Sequence, residues 1–96
     1  MIAIVATISV RPDKVEEFEA AARELQAKVK ENEPDCLLYR MAKSRSEPGV
    51  YKNLEMFVDQ AALDSHIAAD YFLAITPRLG ACVAAESDVH FLDTLD

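Results

Sequence analysis

The first ten residues, Met1 to Val10, set Ile, Val and Ala on both alternating faces of an extended segment. Such a run suits a strand covered on each side rather than one with a wet face, so it belongs in the middle of a sheet. A strand of this kind needs a layer on either side of it. Pro12 opens a helix directly behind it, with Asp13, Glu16, Glu17 and Glu19 in the early turns and Lys28 and Lys30 near the end, each sign placed where it complements the helix dipole. Val15, Phe18, Ala22, Leu25 and Val29 recur at three- and four-residue intervals and form the buried stripe of that helix.

Asn32-Glu33-Pro34-Asp35 ends the helix, because proline disfavours helical geometry in the residue before it and donates no hydrogen bond. A second strand is expected from Cys36 to Lys43, a hairpin loop at Arg45-Ser46-Glu47-Pro48-Gly49, and a third strand from Val50 to Val58. Asp59 begins a short helix through about Ala69, and a further helical segment from Asp70 is expected to stop at Pro77. The last strand lies within Cys82 to Asp96, most clearly Val89 to Leu95. Strand, helix, strand, strand, helix, strand is the split βαβ order of a ferredoxin-like α+β fold: a four-stranded antiparallel sheet with its helices on one face. The other face must still hide Ile2, Ile4, Val50 and Leu54, or their alternates. Two such sheets packed face to face would do so, and a homodimer is the expected assembly. The 96 residues fit one domain, 1–96, and a domain this short buries only about two-thirds of its unfolded surface, which again favours a second buried interface.

Charge and composition exclude several functions. The net charge of −7 leaves no basic stripe for phosphates, so neither nucleic acid nor an anionic membrane is an expected partner. No apolar run approaches the roughly 20 residues that span a bilayer, and Met1 to Val10 lacks the charged start and cleavage site of a secretory signal, so the expected location is cytoplasmic. Cys36 and Cys82 lie far apart without metal-ligand spacing and read as free thiols. There is no ligand cluster, no Gly-rich phosphate loop and no nucleophile motif, so neither metal nor organic cofactor is expected.

What remains is the stretch from Tyr51 to His66. Alternation puts Tyr51, Asn53, Glu55 and Phe57 on one face of the third strand, and His66 follows about two turns into the next helix, where it can turn back toward the sheet. A strand carboxylate close to a helix imidazole, with an amide and two rings beside them, makes a plausible pocket wall. His66, with an ordinary pKa of about 6.5, can exchange a phenolic proton near neutrality; equally, it can hold its helix to the sheet through Glu55. Asn53 can position a hydroxyl or carbonyl, or make a strand-edge hydrogen bond. Tyr51, Phe57 and Phe72 fit a ring-walled pocket or plain core. Arg78 is a candidate for a substrate oxyanion or a solvated helix end, and His90 for an interface.

Asn32 to Tyr39, together with Glu55-Met56-Phe57 and Ala62-Leu63-Asp64-Ser65-His66, resemble the antibiotic biosynthesis monooxygenase superfamily, which includes quinol monooxygenase-like proteins. The resemblance implies a dimeric α+β barrel and oxidation of a quinol-like or phenolic small molecule by dioxygen without flavin, haem or metal. Characterised members carry Asn and Trp four apart on this strand, where Asn53 and Phe57 stand; many carry His where Tyr71 stands. On this resemblance Asn53, Glu55 and His66 are candidate catalytic residues, and Tyr51, Phe57, Tyr71, Phe72 and Arg78 candidate substrate contacts. A non-oxidative protein of the same fold, a small-carbonyl isomerase or a ligand-binding dimer, is the alternative.

Overall fold

In the computed structural model, which describes residues 1–96, β1 (Ile2–Ser9) lies between β3 (Val50–Phe57) and β4 (Asp88–Asp93), and β2 (Cys36–Lys43) flanks β3. All neighbours are antiparallel, giving the order β2-β3-β1-β4. The connections hold α1 (Val15–Asn32), α2 (Gln60–Ala68) and α3 (Asp70–Gly80). The expected ferredoxin-like α+β topology is therefore present, with the apolar N-terminal strand inside the sheet.

Register decides which side chains meet the helices. Ile4 pairs with Glu55 and Phe91, and Ala6 with Asn53 and Val89, so these share the helix-covered face. Val5 pairs with Leu54 and His90, and Ala3 with Met56 and Leu92, on the open face. Of the residues expected to need hiding, Ile2 and Ile4 thus point toward the helices, whereas Val50 and Leu54 point away. Under the helices the core has three parts: Val10, Phe18, Tyr51 and Cys82; Ala21, Leu25, Val29 and Ile75; and Ile4, Phe57 and Leu63. Phe18, Ala22, Leu25 and Val29 of the expected α1 stripe are buried, joined by Ala21.

Several boundaries differ from expectation. Pro12 opens a 3-10 turn over Pro12–Lys14 before α1 proper begins at Val15. Pro77 does not end α3, which runs to Gly80. The proline lacks the N–H of its position, but the Thr76 hydroxyl bonds back to the Phe72 carbonyl and the Ala81 N–H reaches the Pro77 carbonyl, while Leu79 packs against two of the core groups. β4 ends at Asp93, since Thr94 turns its N–H to the Met1 carbonyl and Leu95 is fully exposed. Gly49 closes the β2–β3 hairpin with a φ of 76°, and its carbonyl accepts the Val10 N–H at 2.8 Å.

Candidate active site

The side chain that organises the site is His66. Asp59 caps α2 by accepting the Ala62 N–H at 2.9 Å, which fixes the helix against the end of β3 and turns His66 inward. The imidazole is 1% exposed and lies among Tyr39, Phe57 and Phe72, with ring centroids 5.2, 5.1 and 4.8 Å away. A ring so enclosed must find polar partners within the protein. It has two carboxylates. Nδ1 is 2.9 Å from Oε1 of Glu33, and Nε2 is 3.9 Å from Oε1 of Glu55. The imidazole therefore bridges the end of α1 and the middle of β3.

Each carboxylate has a further partner. Glu33 accepts the Tyr71 hydroxyl, and Glu55 accepts the Asn53 amide at 3.0 Å. Burial pushes Glu55 up to about 7, the Asn53 bond opposing and the Glu33 charge adding to the rise. Burial also raises the Tyr39 hydroxyl well above the usual phenol range, with the Glu55 charge adding to it. The Tyr71 hydroxyl is raised by burial and by its bond to Glu33. Burial first, and then the Glu33 charge, push the Cys36 thiol up to about 11, so it is no thiolate nucleophile at neutral pH. Asn53 is 5% exposed, and its Oδ1 is a buried acceptor with no donor from the chain. Its amide is fixed by Glu55, and its hydrogen bond to Tyr39 partly opposes the rise of that hydroxyl.

Asn53, Glu55, His66, Phe57, Phe72 and Tyr71 are thus gathered in one place. Tyr51 and Arg78 are not. Tyr51 shares the strand face of Asn53 but sits at the other end of β3, its ring tilted at 47° against Phe18 with centroids 4.9 Å apart and its hydroxyl donating to Glu19; burial and that bond raise it to about 12. Arg78 pairs with Glu24 across the exposed contact of α3 with α1, at 2.8 Å. His90 is exposed on the open face of β4, 3.0 Å from Asp88. Two members of the cluster, Glu33 and Tyr39, were not singled out from the sequence as site residues. Both belong to the Asn32 to Tyr39 segment, whose family likeness was the available signal.

A cavity of about 550 Å³ between α1 and β2 is lined in part by these same two residues, with Ala27, Val29, Lys30 and Cys36 beside them. A second, of about 240 Å³, touches Glu33 from the side of α2 and is lined by Asp35, Asp59 and Ser65. No helix is long and apolar enough to cross a membrane.

The arrangement has counterparts. Residues 1–78 match the antibiotic biosynthesis monooxygenase family. A provisionally named antibiotic biosynthesis monooxygenase of Caulobacter crescentus CB15 superposes with a TM-score of 0.95 at 42% identity, over 99% of this chain and 90% of that one. A conserved protein of Methanosarcina mazei Go1 superposes with a TM-score of 0.89 at 31% identity, over 95% of this chain and 89% of that one. The uncharacterized protein sll1783 of Synechocystis is 32% identical over 71 residues, which are 74% of this chain and 48% of the relative, so the chain spans about half that protein's length. From the match over most of its length and the agreement in fold, the chain belongs to the antibiotic biosynthesis monooxygenase family.

Proposed function

We propose that the protein oxygenates a phenolic or quinol-like aromatic with dioxygen, using the His66 cluster to move the substrate's proton. The observation that carries this reading is a buried imidazole held between two carboxylates, Glu33 at 2.9 Å and Glu55 at 3.9 Å, the second pushed up to about 7 by its burial. Removing the phenolic proton leaves an electron-rich phenolate that can itself reduce dioxygen. A proton reaching Glu33 passes to Nδ1 of His66, and Nε2 releases one toward Glu55; the 3.9 Å gap there needs to close by about 1 Å to become a hydrogen bond. Asn53 orients Glu55 through its amide N–H. The three rings around His66 exclude water from the exchange.

In the overall reaction a ring C–H becomes a ring carbonyl. One oxygen atom enters the ring, the other leaves as water, and the substrate supplies all four electrons. Family membership supports this chemistry, and the Phe57 ring at the position of the usual Trp narrows it to substrates that need no indole donor. The test is oxygen uptake by the purified protein with a panel of substituted quinols, beside the His66→Gln variant. One molecule of dioxygen consumed per molecule of substrate, lost in the variant, supports the reading. Saturable binding of the same quinols without uptake would instead assign a ligand-binding member of the fold.

A further inference from the structure

The cavity between α1 and β2 has a charge pattern opposite to that of the whole protein. The chain carries a net charge of −7, which repels organic anions at long range. Yet three of its ten Lys and Arg residues, Arg23, Lys30 and Arg40, line this one cavity, where Glu33 is the sole acid. Lys30 and Arg40 make no ion pair, and Arg23 makes one, with Glu19 a single helical turn away at the surface, where such pairs hold weakly. Arg23 and Lys30, both on α1, are exposed, whereas Glu33 and Tyr39 are half-buried, so positive charge lies along the α1 side of the mouth; Arg40, which pairs with Leu54, stands toward the open face of β2. The neighbouring cavity on the other side of Glu33 is lined by Asp35 and Asp59 with no Lys or Arg. An anion is therefore drawn to the first cavity and turned away from the second.

Resting on the oxygenase reading of the His66 cluster, we infer that the substrate is an aromatic acid: a hydroxylated ring bearing a carboxylate, its charge held by Arg23 and Lys30 and its hydroxyl directed to Glu33. The volume of about 550 Å³ accommodates one or two fused rings, with Ala27, Val29 and Pro34 as apolar walls. An Arg guanidinium matches a carboxylate with two parallel hydrogen bonds, which fixes the tilt of the ring as well as its depth. Opposite charges at the mouth and at Glu33 then orient the ring one way round, because the reverse pose sets carboxylate against carboxylate at Glu33.

Calorimetric titration of the intact protein with 1-hydroxy-2-naphthoate and with 1-naphthol, which lacks only the carboxylate, tests this directly. The acid should bind about tenfold or more tighter than the naphthol at low salt, and the preference should shrink as salt is raised. In Arg23→Gln with Lys30→Gln, both exposed positions on α1, the two affinities should converge while the melting temperature stays that of the parent. Equal affinities in the parent, no binding of the acid, or a preference that survives the double variant would overturn the inference. The readout is binding, so an acid that binds selectively but draws no oxygen leaves this inference standing and removes the oxygenase reading instead.

Discussion

At the scale of single residues, the behaviour of Glu55 and His66 follows from burial. Glu55 has a folded-state pKa of about 7 against an ordinary 4.5, raised by burial, so the native protein holds a proton that the unfolded chain has already released. Its contribution to stability is fully present below about 4.5 and is lost as pH rises through 7, by about 3 kcal/mol in all. Glu55→Gln should therefore melt at a higher temperature than the parent at pH 8, with a flatter pH dependence between 5 and 8; identical profiles would show that Glu55 is solvated. Replacing His66 by Ala should cost about 2–4 kcal/mol, since it opens a hole among three rings and strands two carboxylates. Stability loss alone thus cannot mark the residue as structural. His66→Gln, which keeps most of the volume, should lose turnover far out of proportion to its change in melting temperature. The sequence located His66, Glu55 and Asn53 because alternation and helical period report which face a residue takes. It could not place Tyr51, because parity gives a face and not a position: Tyr51 and Phe57 share a face but are about 20 Å apart along the strand. Nor could it assign Glu33, whose role depends on a partner 33 residues away in the chain.

At the scale of elements, the site depends on α2 being held by one cap and on the β2–β3 register being held by one turn. Asp59→Ala removes the acceptor of the Ala62 N–H and should cost about 1 kcal/mol, with oxygen uptake falling as the helix carrying His66 frays. Gly49→Ala meets a stricter limit, because φ is 76° and a Cβ there would lie 2.9 Å from the Val10 carbonyl oxygen. It should cost about 1–3 kcal/mol in a denaturant melt; a neutral result would show that the hairpin relaxes freely. Helix and strand identities were legible from hydrophobic period, and the end of α1 from Pro34. The end of α3 was not, because Pro77 is accommodated by a Thr76 side-chain bond and by Leu79 packing that only the folded chain reveals.

At the scale of the whole molecule, one sheet face is covered by helices and the other is not. The open face presents Val5, Leu54 and Met56, with Leu38 at 38% and Leu92 at 48% exposure, an apolar surface that a second copy of the chain would cover. Sedimentation at micromolar concentration should show a single species of twice the 10.6 kDa chain mass, and a stable monomer would contradict that assembly. That both faces of β1 are apolar was legible in the first ten residues; the cavity between α1 and β2 was not, since it depends on how the two elements are spaced. The proposed oxygenation requires that dioxygen be the source of the oxygen that enters the ring. Turnover of a responsive phenolic substrate under isotopically labelled dioxygen, with the product weighed by mass spectrometry, tests that most directly. The account predicts one labelled oxygen per product molecule with the parent protein and none above the uncatalysed blank with His66→Gln; a product whose new oxygen comes from water, or no product from any phenol tried, would contradict it.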